Sequence, residues 1–521
     1  MKHLKIWTAL LALLLAVAVA TAACGGEKGE EETDEPKDDA GASSPAALDG
    51  DIAAFVDIAR VDDQSYAPKD TDFSDEPNCD PDPMAGMTYD ESGQAGPLRQ
   101  KAEEYDALIE QWHLPDYGSH LHVIYTDETQ SEVQSYEGHG DSCIWTGTYI
   151  NSQALRYHVT GDPQARANII RSAASLSRHL HVTGRPGFIA RYVGKQSNPG
   201  HASKLAGCDA DENCHKIDSG EFAGDFWVGN TSRDQYTGWF LGMSTAYDLI
   251  DDWPTRTQIQ NDVTEVLDAL IAQDWTIIDV DGIKTTKAPQ VLPSMQEAWA
   301  LVGYHVTGEE RFKEVFDKWS APENQNIIQL TNISFPNRYA QHYGLNLAHE
   351  NFFNLLRLSQ PYCQAHEFAL DVFKDKIRKV VDLAHNPWYT AIYLAQGQPE
   401  TQKEIDKNVD QMIEDLYDFP DPPKSEYAMN PPERFLDPIS VWLHDFQQDN
   451  PWLADIMGSV NYQALRPYEV KYQCHSGFMF QRNMWATECG GSDRPEKVSS
   501  GHDYLAAYWM ATAYGYLTKD Q

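Results

Sequence analysis

The fold is decided by the stretch HVTGDP, residues 158–163, which ends one helix and begins the next. Glycine readily adopts the left-handed conformation that terminates a helix, so Gly161 marks a stop. Asp162 then provides an N-cap, and Pro163 suits the first helical turn. The tetrapeptide HVTG returns at residues 181–184 and 305–308. The sequence therefore predicts several helices joined in hairpins.

Apolar residues recur at helical spacing on both sides of these stops, while strand-like alternation is scarce. The segments with this spacing are 150–157, 169–180, 238–250, 263–271, 295–306, 345–358, 368–383, 407–416 and 504–517. Two long stretches, residues 194–227 and 418–484, lack the pattern and are expected to be loop insertions. The predicted class is all-α, with helices of middling length.

Two short motifs resemble a known superfamily. The stretch DSCIWTG at 141–147 is similar to the opening hairpin of the six-hairpin glycosidases, and SRDQYTGW at 232–239 resembles a helix start of the unsaturated glucuronyl hydrolases. The resemblance implies an (α/α)6-type toroid, in which the loop ends of the inner helices surround a funnel. It also implies a carbohydrate-active enzyme.

Asp141 and Asp234 stand at corresponding helix starts in these two motifs. Glycoside hydrolysis needs one carboxyl group as proton donor and a second as nucleophile or base, so this pair is the predicted catalytic pair. The alternative is that each aspartate only caps its own helix. The predicted substrate-binding residues nearby are charged or aromatic: Glu137, Trp145, Arg191, Arg233 and Trp239.

A second group of polar residues follows in the segment 338–350. A polysaccharide lyase neutralises a uronate with a basic side chain and removes a proton with Tyr or His, which Arg338, His342 and Tyr343 would suit. His342 and Glu350 are the preferred catalytic pair from this segment. The alternative is a polar stripe that faces a neighbouring helix, as helical spacing alone would produce.

The N-terminus resembles a bacterial lipoprotein signal peptide. Lys2 and Lys5 precede an apolar run that is too short to span a membrane, and the residues TAAC at 21–24 resemble a lipobox. We therefore expect residues 1–23 to be a signal peptide and Cys24 to carry the lipid that attaches the protein to a membrane, with the outer membrane favoured. Residues 24–96, rich in acidic residues, Gly, Ser and Pro, are expected to form a largely disordered tether to a domain spanning 97–521.

Composition excludes several classes of function. A net charge of −39 without a basic cluster argues against nucleic-acid binding. The chain has no Gly-rich phosphate loop, nucleophile elbow or zinc-binding helix, so neither a cofactor nor a metal is predicted. Export permits disulfides, and the candidate pairs are Cys208 with Cys214 and Cys474 with Cys489.

The sequence thus predicts an exported, lipid-anchored enzyme that resembles glycoside hydrolases and acts on oligosaccharides. A polysaccharide lyase on the same fold is the first alternative. The second is a surface lipoprotein that binds a glycan or a protein without catalysis.

Overall fold

The computed structural model describes residues 83–84, 86–332, 335–486 and 493–521, and helices dominate this part of the chain. The prediction of a mainly helical protein is confirmed. Cys24 and the rest of residues 1–82 lie outside the described residues. None of the described helices is long and apolar enough to cross a membrane.

The helices are α1 Pro97–Leu108, α2 Ser142–Thr160, α3 Pro163–His181, α4 Ala202–Gly207, α5 Arg233–Leu249, α6 Trp253–Ala272, α7 Ala288–Val291, α8 Pro293–Thr307, α9 Glu310–Ser320, α10 Gln325–Thr331, α11 Phe335–Tyr339, α12 Tyr343–Leu358, α13 Cys363–Val372, α14 Pro387–Gln396, α15 Gln402–Asp418, α16 Pro438–Asp449, α17 Trp452–Met457 and α18 His502–Ala513. The strands are β1 His122–Tyr125, β2 Val133–Glu137, β3 Tyr192–Lys195, β4 Cys214–Lys216, β5 Asp225–Val228, β6 Ile277–Ile278, β7 Lys284–Thr286, β8 Lys424–Glu426 and β9 Arg494–Ser499.

Six of these helices pack against one another in sequence order: α2, α5, α8, α12, α14 and α18. Each contacts the next, and α18 contacts α2. These six, here called the inner helices, are buried over most of their length, whereas α9 and α15 bury only a few residues each. The core therefore includes the inner helices and the buried sides of the flanking helices α3 and α6.

The predicted helix stops are confirmed at two of the three tetrapeptides. Gly161 and Gly308 end α2 and α8 in the left-handed conformation, with φ of 65° and 70°. Asp162 caps α3 by accepting a hydrogen bond from the Gln164 N–H, and Pro163 is the first residue of that helix. At the remaining tetrapeptide, residues 181–184, α3 ends at His181, and Gly184 lies in the turn that follows.

The inner helices α2 and α5 approach each other through glycines. A Cβ atom on Gly147 would overlap the carbonyl oxygen of Gly238, and one on Gly238 would overlap the backbone of Ile144. A Cβ on Gly242 would lie 2.6 Å from the Gly147 carbonyl oxygen. Glycine inside a helix costs roughly 0.5–1 kcal/mol relative to alanine, and here the cost is offset by backbone contact.

Nine short strands form three sheets within the described residues, with orders β2-β1-β9-β8, β3-β5-β4 and β6-β7. Their length explains why no alternation is visible in the sequence. The first predicted insertion carries most of the second sheet, and the predicted disulfide Cys208–Cys214 closes its loop. Cys489, in the other candidate pair, lies outside the described residues.

The folded part begins before the predicted boundary at Pro97. The Tyr89 hydroxyl donates to the Ala513 carbonyl at 2.6 Å, and Glu91 forms an ion pair with Arg99 at 2.8 Å. The segment 86–96 is thus attached to the C-terminal helix and is not part of a tether.

Candidate functional site

The inner helices run parallel to one another. Each contact between two of them joins residues at similar distances from the two helix starts. Gln235 accepts a hydrogen bond from the Ile144 N–H near the starts of α5 and α2, and Asn151 bonds Thr245 further along the same two helices. Contacts between the other neighbouring inner helices also indicate a parallel arrangement. They are Trp299–Asn351, Thr237–Asn351, His349–Tyr389, Trp145–His502 and Gln396–Tyr514. All six N-terminal ends therefore lie on one side, here called the N-terminal face.

Asp141 lies on this face and does not cap its helix. Although it occupies the N-cap position of α2, its carboxylate makes no capping hydrogen bond. It instead accepts from Gln235 Nε2 at 3.3 Å, and a guanidinium nitrogen of Arg191 lies 3.9 Å away. With 48% of its side chain exposed, Asp141 is accessible to a ligand.

Arg191 holds the approaches to the two helices together. Its guanidinium donates to the Gly140 carbonyl at 2.9 Å, just before α2, and to the Asn230 carbonyl at 2.8 Å, in the loop before α5. Arg191, predicted to bind substrate, therefore also has a structural role. Arg191 fixes the spacing of the two loops and places positive charge beside Asp141.

Asp234 is the second residue of α5, with 21% of its side chain exposed, and Arg233 Nε lies 3.6 Å from its carboxylate. Glu350 lies on the neighbouring helix α12 and is fully buried. Burial raises the pKa of Glu350 to about 8, a hydrogen bond from Asn346 opposes this shift, and the charge of Asp234 adds to it. One carboxyl is thus kept neutral at pH 7 close to a second, partly exposed carboxyl.

Buried polar atoms without a protein hydrogen-bond partner gather around Glu350. They are Glu350 Oε2, Asn346 Oδ1, His349 Nε2 and the Tyr389 hydroxyl. The Tyr389 ring stacks on His349 at 3.9 Å, and burial and the charge of Glu350 raise the pKa of its hydroxyl. Buried polar groups in proteins are nearly always hydrogen-bonded, either to protein groups or to ordered water.

Tyr389 is the residue of this group that sequence reasoning missed. It follows the dipeptide Asn386-Pro387, which is a helix-start signature, and the Asn386 side chain accepts from the Tyr389 N–H. That signature places Tyr389 in the first turn of α14, at the depth of the predicted residues. It does not show which helix lies opposite.

The residues predicted for a lyase lie at the start of α12. Burial lowers the pKa of His342 to about 4, so its imidazole is neutral, and Nδ1 is 3.3 Å from the Gln481 carbonyl. Tyr343 is the half-buried first residue of α12. Arg338 forms an ion pair with Asp437 at 3.1 Å and stacks on Trp485, so its guanidinium is already engaged within the protein.

Trp145 and Trp239, predicted to bind substrate, lie in the core of the structure. Trp239 is fully buried, and Trp145, 3% exposed, stacks on Phe478 at 4.3 Å. Both side chains belong to the main hydrophobic cluster. Glu137 lies on β2, where it pairs with Lys497 at 3.0 Å, and Arg233 is 6% exposed at the start of α5.

Glu350 and Glu297 predict how stability depends on pH. Burial raises the pKa of each from 4.5 to about 8, so between these values the native state holds more protons than the unfolded chain. The free energy of unfolding must then fall as pH rises through this interval. We expect Glu350→Gln to melt near the parent at pH 5 but to be more stable at pH 8, by an amount on the order of a few kcal/mol. Thermal melts at both pH values test this, and a stability difference independent of pH would contradict it.

Within the part of the chain that the structure describes, no three His, Cys, Asp or Glu side chains are placed to hold a metal ion. Comparison of the chain with protein-family models, curated proteins and solved structures gives no match.

Proposed function

We propose that the six inner helices form an (α/α)6-type toroid whose N-terminal face is the active site of a glycoside-hydrolase-like enzyme. The observation that carries the proposal is Glu350, a buried carboxyl with one oxygen bonded to Asn346 at 2.8 Å and the other without a partner. Its raised pKa keeps it protonated at neutral pH, which is the state required of a proton donor.

The second carboxyl of the mechanism is Asp234. It lies on the adjacent inner helix, and its negative charge contributes to raising the pKa of Glu350. A carboxyl whose pKa is raised can act as the acid, which assigns that role to Glu350. In this mechanism the sugar displaces the side chains that cover Glu350, which then protonates the glycosidic oxygen, while Asp234 acts as base or nucleophile. Asp141, half-exposed beside Arg191, binds a sugar hydroxyl.

The proposal includes a location. The signal peptide predicted for residues 1–23 and the lipidated Cys24 would attach the enzyme to a membrane outside the cytoplasm, with the outer membrane favoured. Two acyl chains provide stable attachment because each buried methylene contributes ~0.8 kcal/mol.

A panel of soluble oligosaccharides, including unsaturated uronides, tests the catalytic proposal. We expect new reducing ends with at least one substrate, and a loss of roughly 10²-fold or more in Asp234→Asn. We expect a smaller loss in Asp141→Asn, because it contributes binding. Full activity in both variants would overturn the assignment of these aspartates.

The same panel of oligosaccharides distinguishes a lyase from a hydrolase. The observation that supports a lyase is the neutral His342 at the start of α12. A lyase creates a double bond conjugated to a carboxylate, which absorbs in the ultraviolet, whereas a hydrolase does not. Absorbance that depends on His342 would replace the hydrolase proposal. Glycan binding without any product would favour a non-catalytic binding protein.

A further inference from the structure

Exposed apolar side chains are concentrated in one insertion. Eight of the fifteen large apolar residues that are exposed in the described part of the chain lie between residues 427 and 465. Phe435 is 87% exposed, and Trp452 and Trp442 are 54% and 45% exposed. Single exposed apolar residues are ordinary, but such a concentration marks an interaction surface.

The helix α16 in this insertion turns its polar side inward. Its buried residues are Ser440 and Gln447, whereas Ile439 and Trp442 are exposed. Ser440 accepts a hydrogen bond from the Gln463 N–H, and Gln447 bonds to the backbone of Gly458 and Val460. The inner side is held by polar contacts, so the apolar side is free for a partner.

The exposed rings have polar groups beside them. Trp442 stacks on Phe446 at 5.5 Å, and the Tyr462 hydroxyl donates to Asp445, whose side chain is 62% exposed. Flat ring faces contact the apolar face of a sugar ring, while carboxylates and amides bond its hydroxyls. We call Phe435, Trp442, Trp452 and Tyr462, all of which are exposed in this insertion, the aromatic patch.

The insertion is joined to the N-terminal face. Gln463 donates to the Arg338 carbonyl at 2.9 Å, and Asp437 binds both the Arg338 guanidinium and the Tyr339 hydroxyl at 3.1 Å. These residues immediately precede α12, the helix that carries Glu350. The insertion is therefore attached to the chain just before the start of α12.

The charge of the protein distinguishes between the kinds of partner that could bind an exposed apolar surface. The chain carries a net charge of −39, and Glu433, Asp445 and Asp449 are exposed around the aromatic patch. Like charges repel a second copy of this chain, an anionic lipid surface and a polyuronate. An uncharged polysaccharide has no such penalty and offers the ring faces that the aromatic side chains fit.

We propose that the aromatic patch binds an uncharged stretch of polysaccharide and guides it to the N-terminal face, an inference that rests on the proposed carbohydrate function. The patch acts as an extended substrate-binding surface separate from the carboxyl groups. It therefore contributes to the binding of long chains.

Affinity gel electrophoresis of the full chain tests this, with hydroxyethylcellulose, xylan, galactomannan and a soluble β-glucan as probes. We expect at least one of these to retard the protein, and Trp442→Ala, Trp452→Ala and Phe435→Ala to weaken retardation by about tenfold or more in combination. Trp253→Ala is the matched control, since Trp253 is 49% exposed at the start of α6, on the side opposite the N-terminal face. It should be retarded like the parent.

Glu350→Gln separates this inference from the proposed function. We expect that variant to be retarded like the parent although its hydrolysis is lost. Retardation without hydrolysis in the parent would overturn the proposed function alone. The inference is overturned if no probe retards the parent, or if the triple variant is retarded equally. It is also overturned if the patch substitutions dissociate a dimer or release the protein from anionic phosphatidylglycerol vesicles.

Discussion

Replacing Glu350 with Gln is expected to lower kcat/KM by roughly 10²- to 10⁴-fold on whichever glycan the parent hydrolyses, because the amide cannot protonate the leaving oxygen. The substitution exchanges one neutral group for another of the same shape, since the raised pKa of Glu350 keeps it protonated at pH 7. The fold should therefore survive. Initial rates of reducing-end release over a range of substrate concentrations give kcat/KM for the variant and the parent.

Glu297→Gln is the matched control for this experiment. Glu297 is also buried in an inner helix, and burial raises its pKa to about 8, as it does for Glu350. No neighbouring carboxylate contributes to the shift of Glu297, whereas Asp234 contributes to that of Glu350. We expect Glu297→Gln to gain stability at pH 8 and to keep its activity. Equal losses of activity in the two variants would remove Glu350 from the role of acid.

The second large effect is expected at the crossing of α2 and α5. Gly238→Ala and Gly147→Ala each place a Cβ atom where the backbone of the facing helix lies. A backbone cannot rotate away as a side chain can, so the two helices must separate. We expect each substitution to lower the free energy of unfolding by roughly 3 kcal/mol or more, measured by urea denaturation.

Gly207→Ala serves as the control for this prediction. Gly207 lies at the end of the short helix α4, and a Cβ atom there would meet nothing within 4 Å. Its substitution should change the free energy of unfolding by less than about 0.5 kcal/mol. If Gly238→Ala unfolded at the same urea concentration as the parent, the close approach of α2 and α5 would be refuted.

The absence of a capping bond from Asp141 to its own helix also follows from this crossing. Because the backbones of α2 and α5 touch at Gly147 and Gly238, Gln235 reaches across to the Ile144 N–H and to the Asp141 carboxylate. The amide of one helix thus occupies the position from which Asp141 would have capped the other. The aspartate is left available for a ligand.

The sequence by itself determined the helices and their ends. Gly161 and Gly308 stop helices because a left-handed φ is a local property of glycine, and Asp162 with Pro163 begins the next helix through contacts within one turn. The disulfide Cys208–Cys214 was predictable for the same reason, as its partners are six residues apart. Interactions of this range are contained in the local sequence.

Only the tertiary structure decided which of the candidate residues meet. Glu350 and Asp234 are more than a hundred residues apart, and helical spacing shows the face of α12 that carries Glu350 but not the helix it faces. Trp145 and Trp239 have the aromatic rings that commonly stack on sugars, yet packing places them in the core. The raised pKa of Glu350 is likewise a tertiary property, because it arises from loss of water and from a charge on another helix.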